Sequence, residues 1–131
     1  MKKLVFILAI ITTLTAQSQH FQDDWQFRTD KKFHAFAGFT VSTIFASACY
    51  YNTLDFKEAM IWGVATGGGV NLAKEVFDLT TGLGTASYHD LGYGIGGAII
   101  GSLVGVGIGH LARKGEDRRI EKERLKLEEA L

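Results

Sequence analysis

Three stretches of the chain are almost free of charge, and each has a compact polar cluster at one edge. Phe33 to Tyr51 holds no charge except through His34, and Leu91 to Ala112 none except through His110. Ala59 to Ala73 is a third apolar run of more moderate hydrophobicity. At ~1.5 Å per residue, the first nearly crosses a hydrocarbon layer of ~30 Å and the last crosses it fully. The middle run would insert poorly alone and needs partners.

Within these runs the small and polar positions recur at helical spacing. His34, Gly38, Ser42 and Ala46 fall every four residues, as do Gly63, Gly67, Asn71 and Glu75. Each set makes one narrow stripe on a helix. Gly97, Gly101, Gly105 and Gly109 make a third, a groove in which another backbone can approach closely. The alternation Gly92-Tyr93-Gly94-Ile95-Gly96 has the period of a strand, but the uncharged length and the four-residue repeat favour a helix. The pattern predicts an all-α fold, a three-helix transmembrane bundle, with a turn over Asn52–Glu58 and a loop over Leu79–Ser87.

The order of the polar edges carries further information. Asp30-Lys31-Lys32-Phe33-His34 opens the first run, Lys74-Glu75-Val76-Phe77-Asp78 closes the second, and Ser87-Tyr88-His89-Asp90 opens the third. If each run crosses a membrane, start, end and start lie on one face. Ionisable groups at a membrane boundary are costly unless paired or used.

The first residues read as a secretory signal. Lys2 and Lys3 precede an apolar core from Leu4 to Leu14, and Ala16-Gln17-Ser18 supplies small residues for cleavage. The expected organisation is a cleaved signal peptide over 1–18, a periplasmic interfacial lead-in over 19–32 with Trp25 as an anchor, a membrane domain over 33–112, and a charged cytoplasmic tail over 113–131. Within the tail, a solvated helix is expected to begin after Gly115. Basic residues bear on topology. Arg28, Lys31, Lys32 and Lys74 lie on the cluster side, whereas Lys57 and seven residues from Arg113 to Lys126 lie on the other. That excess points to a cytoplasmic tail and an outward-facing cluster in a bacterial inner membrane.

Composition narrows the classes. Net charge is zero, which leaves no basic footprint for nucleic acid. Sixteen glycines without a proline suit closely packed membrane helices. The single cysteine, Cys49, excludes an internal disulfide, and no cysteine follows the signal to take a lipid. Gly92-x-Gly94-x-x-Gly97 matches a dinucleotide fingerprint in letters, but no strand precedes it and the later acids fall in the tail.

The clusters hold the candidate chemistry. His34, Glu75, Asp78 and Asp90 are candidates for proton transfer, and Lys31, Lys74, Ser87 and His89 for ligand binding. Lys74 and Asp78, four apart, can pair on one helical face. Glu75 and Asp78, three apart, can share a proton or converge on a metal, although no metal centre or cofactor is assigned. Asp90 can alternatively serve its own helix terminus. The whole cluster can equally be a buried staple that fixes helix register.

At these residues the sequence resembles the YfiM-like family of small envelope lipoproteins of unknown function. The shared pattern is D-K-x-x-H, K-E-x-x-D, then a Gly-containing loop with S-x-x-D and G-A. Here these are Asp30-Lys31 with His34, Lys74-Glu75 with Asp78, and Gly84 with Ser87, Asp90 and Gly97-Ala98. The resemblance spans about Asp30 to Gly101. The family's lipid-bearing cysteine has no counterpart, and an acidic residue often found four after the S-x-x-D aspartate is Gly94 here. The opening motif is also distantly similar to VanZ-like membrane proteins. The resemblance implies no activity.

The expectation is a small membrane protein whose outward pocket binds, or acts on, a lipid or cell-envelope head group. His34 or Glu75 would serve as base and Lys74 would bind an anionic group. The alternative is a non-enzymatic protein whose glycine groove drives self-association or scaffolds a membrane partner. Ion passage fits less well, because the ionisable groups gather at one end.

Overall fold

The computed structural model describes residues 29–82 and 85–130. The signal segment, Trp25 in the lead-in and Gly84 in the loop lie outside the described residues. The described chain forms three α-helices: α1 (Thr29–Thr53), α2 (Phe56–Thr81) and α3 (Tyr88–Glu129). Among the described residues there is no strand, so the alternating glycines of 92–96 lie within a helix.

The ends of the helices are set by local chemistry. Leu54 follows α1 in the left-handed region (φ 56°), and its N–H donates to Tyr50 O at 2.9 Å. A left-handed residue commonly closes a helix in this way, though a side chain there costs roughly 1 kcal/mol. Asp55 then caps α2, its carboxylate accepting from Glu58 N at 2.9 Å. The expected polar turn over Asn52–Glu58 therefore shrinks to Leu54–Asp55, because one C-cap and one N-cap abut. Gly82 ends α2 at φ 66°, with its N–H on Asp78 O. The loop is accordingly shorter than Leu79–Ser87. Ser87 caps α3 by accepting from Asp90 N at 3.4 Å.

The bundle is small and polar within, large and apolar without. Its buried hydrophobic residues are Ala46, Ala59, Ala86, Ala98 and Val106. Phe33, Phe36, Ile44, Ile61, Trp62, Ile100 and Leu111 are exposed, as are many similar side chains. A water-soluble core would reverse that distribution, whereas helices in lipid pack through small residues and present large apolar ones outward. Both α1 and α3 are long and apolar enough to cross a membrane, and α2 is not.

All three predicted stripes lie at helix contacts. Every member of the α1 and α2 stripes is buried. The α3 glycines take the backbone of α1. A Cβ on Gly97, Gly101, Gly105 or Gly109 would overlap the carbonyl oxygen of Ala35, Phe39, Thr43 or Ser47 in turn. Thr43 Oγ1 adds a hydrogen bond to Gly101 O at 3.0 Å. The groove expected to receive another backbone is thus filled within the chain. Gly67 meets Ser42 and Gly38 in the same manner, bringing α2 against α1.

Ala46, Ala59 and Val106, with Cys49, Tyr50 and Met60 around them, close the end of the bundle opposite the polar edges. Beyond this block α3 continues without interruption through Gly115. The helix expected to start anew in the tail is the unbroken continuation of the third apolar helix.

Candidate functional site

The three polar edges meet at one end of the bundle. Their residues separate into buried ties and an open groove.

Three ties join the elements. Lys31 Nζ on α1 lies 3.1 Å from Asp90 Oδ1 on α3, with both side chains almost wholly buried. The Ser87 N–H donates to Glu75 Oε2 at 2.7 Å, fastening the start of α3 to α2. His34 Nδ1 lies 3.0 Å from Asn71 Oδ1, joining α1 to α2. Asp90 sits in the first turn of α3, but Ser87 is the capping residue, and the Asp90 carboxylate is directed to Lys31. Half-buried His89 lies beside it in the same turn.

Asn71 determines what His34 can do. Its Nδ2 donates to Gly67 O at 2.9 Å, so its Oδ1 faces the imidazole as an acceptor. His34 Nδ1 must therefore carry a proton. In the neutral ring that leaves the lone pair on Nε2. Nε2 lies 3.7 Å from both Asp30 Oδ1 and Glu75 Oε1. In the sequence Asn71 marks only a packing stripe, and its recurrence at four-residue spacing before Glu75 is the signal it carries.

Lys74 takes the expected partner and one more. Its Nζ lies 2.9 Å from Asp78 Oδ2 and 3.2 Å from Glu75 Oε1. Glu75 and Asp78 thus converge on an ammonium group. The metal-like grouping of side chains is a different one: Asp30, His34 and Asp90 each offer a donor atom within 4.8 Å of the others. The Lys31 ammonium beside Asp90 opposes a cation there.

Between α1 and α2 lies an open groove of about 270 Å³, lined by Asp30, Phe33, His34, Ala37, Val70, Asn71 and Lys74. Phe33, Ala37 and Val70 make apolar walls; Asp30, His34 and Lys74 present polar atoms. Chemically, the site offers an imidazole nitrogen, a largely exposed carboxylate and a partly exposed ammonium beside an apolar channel. Glu75 is less suited to act as base, since both its oxygens are engaged and the residue is 2 % exposed.

No protein-family model, curated protein or solved structure matches the chain.

Proposed function

We propose that the groove between α1 and α2 binds the polar head group of a membrane lipid or lipid-linked envelope component at the outer face of a bacterial inner membrane. The observation that carries this reading is the joint lining of one cavity by Phe33 and Val70 on one hand and His34 and Lys74 on the other. An amphiphile meets both kinds of surface at once. If chemistry follows binding, His34 Nε2 is the base and Asn71 the residue that orients it. The outward orientation rests on the secretory signal and on the basic tail.

A second reading has its own support. Lys31–Asp90, Glu75–Ser87 and His34–Asn71 each join two elements, as a structural staple would. The two readings divide the cluster between them: the ties hold the helices, and the groove beside them holds the ligand. Self-association through Gly97, Gly101, Gly105 and Gly109 has less support, because α1 occupies that face.

Native mass spectrometry of the detergent-purified protein tests the groove. Lipid adducts should survive gentle purification, and Val70→Trp, which fills the groove, should remove them while leaving helicity by circular dichroism intact. A wild-type protein free of adducts, or undiminished adducts on Val70→Trp, would overturn the reading.

A further inference from the structure

Building on the groove reading above, we propose that its occupant carries a primary ammonium, so that the groove selects an aminophospholipid of the phosphatidylethanolamine type over anionic and choline lipids.

The argument begins with Lys74. As the ammonium group lining the groove, it would suit an anionic head group if it stood alone. It is already held by Asp78 at 2.9 Å and Glu75 at 3.2 Å. Lys31 adds nothing toward the groove, since its charge is matched by Asp90. Asp30 is the carboxylate that lines the groove, while Glu75 and Asp78 stand behind Lys74 and more than match its charge. With His34 neutral, the local balance is negative, and protonating His34 reduces the imbalance without reversing it. In a region of lowered dielectric, a purely anionic head group is repelled there.

Asp30 and His34 supply what a primary ammonium needs. The Asp30 side chain is 65 % exposed and its Oδ1 lies 3.7 Å from His34 Nε2. Asn71 accepts from Nδ1–H, so in the neutral ring Nε2 is an acceptor, 3.7 Å from the Asp30 carboxylate. An –NH3+ group can donate to both. A quaternary ammonium has no N–H to give, so choline offers charge without the hydrogen bonds. The phosphate of the same head group lies along the exposed edge of Lys74, and Phe33, Ala37 and Val70 receive the first part of an acyl chain. One zwitterion satisfies both polar ends.

The test is a competition measured by native mass spectrometry. The protein is titrated in micelles with phosphatidylethanolamine, phosphatidylglycerol or phosphatidylcholine of matched acyl chains. Phosphatidylethanolamine should bind about tenfold more tightly than either, the ratio expected of one charge-assisted hydrogen bond. Asp30→Asn, at an exposed position, should abolish the preference over phosphatidylcholine without changing the melting temperature. Asp30→Lys should turn the preference toward phosphatidylglycerol. Equal or tighter binding of phosphatidylglycerol to the wild type would overturn the proposal, as would an unchanged preference in Asp30→Asn. If that anionic binding is lost in Val70→Trp, the groove reading survives and only the head-group assignment falls. Failure to bind any of the three lipids overturns both.

Discussion

Lys31 Nζ and Asp90 Oδ1 meet at 3.1 Å although 59 positions separate them in the chain, with the two side chains only 5 % and 4 % exposed. The pair ties the first turn of α1 to the first turn of α3. Charges so placed are costly to bury and costly to separate. Removing the lysine alone, as in Lys31→Met, leaves an uncompensated carboxylate. The expected loss is about 3–5 kcal/mol of stability. Replacing both, Lys31→Met with Asp90→Leu, should recover most of it. Denaturant titration of the two variants in detergent checks the sign and size of the coupling; equal losses would show that the pair is not a tie.

The glycines of α3 divide into two groups with opposite expectations. Gly101 faces the Phe39 carbonyl, and a Cβ there overlaps backbone that cannot swing aside. Gly101→Ala should therefore push α1 away and cost roughly 1–3 kcal/mol, the range for overpacking. Gly107 has nothing within 4 Å of its would-be Cβ. Gly107→Ala should be neutral or stabilise the helix by up to about 1 kcal/mol. Melting curves of the two variants give the comparison, and equal effects would remove the case for the α1–α3 contact at Gly101.

Asn71 should control the imidazole. Its amide is fixed by Gly67 O, which sets its Oδ1 toward His34 Nδ1. In the wild type, the nitrogen-15 shifts of His34 should report a protonated Nδ1. Asn71→Ala should release the ring into a mixture of tautomers. Lipid binding in the groove should fall with it, while helicity is retained. A pure Nε2–H tautomer in the wild type would contradict the hydrogen-bond assignment.

Much of this arrangement can be read from one-dimensional spacing. The stripes His34–Ala46 and Gly63–Glu75 follow from a four-residue repeat, and the order of the polar edges brings the clusters to one end. Lys74–Asp78 is legible for the same reason, since both lie on one helix. What spacing does not contain is the register of one helix against another. That register decides that Lys31 meets Asp90, and that Asn71 rather than a carboxylate orients His34. It also directs α1, rather than a second copy, into the glycine groove. The end of the second helix shows another limit. Glu75 reads as a candidate base or staple partner, and spacing does not show that the loop returns the Ser87 N–H to it.

Glu75→Gln tests that last contact. The carboxylate accepts from Ser87 N through one oxygen and from Lys74 through the other. An amide has only one acceptor oxygen, so one donor is left facing an –NH2 group. The expected cost is about 1–3 kcal/mol. Hydrogen exchange at the Ser87 amide should speed up relative to amides in the middle of α3. Unchanged protection at Ser87 would mean that the Glu75 contact does not secure the start of α3.

The continuity of α3 beyond the apolar span gives the final prediction. Gly115 alone favours a break, at about 1 kcal/mol relative to alanine. Ion pairs span it and follow it: Arg113 with Glu116 and Asp117 at 3.6 and 3.4 Å across the glycine, then Arg119 with Glu123 at 3.1 Å and Arg124 with Glu128 at 3.4 Å beyond it. Exposed pairs of this kind contribute about 0.3–0.5 kcal/mol each, so together they offset the glycine. Tyr51 adds a further anchor, with its hydroxyl on Glu116 and its ring 5.7 Å from the Arg113 guanidinium carbon. With Cys49 replaced by serine, spin labels at Lys114 and Lys126 bracket the glycine. Twelve residues of unbroken helix separate the two backbones by about 18 Å, and pulsed electron paramagnetic resonance should give one narrow distribution near that value. High salt screens the pairs, so broadening there with a sharp distribution at low salt would assign the stiffness to the charges. A broad distribution in both conditions would place a hinge at Gly115 and separate the tail from the membrane helix.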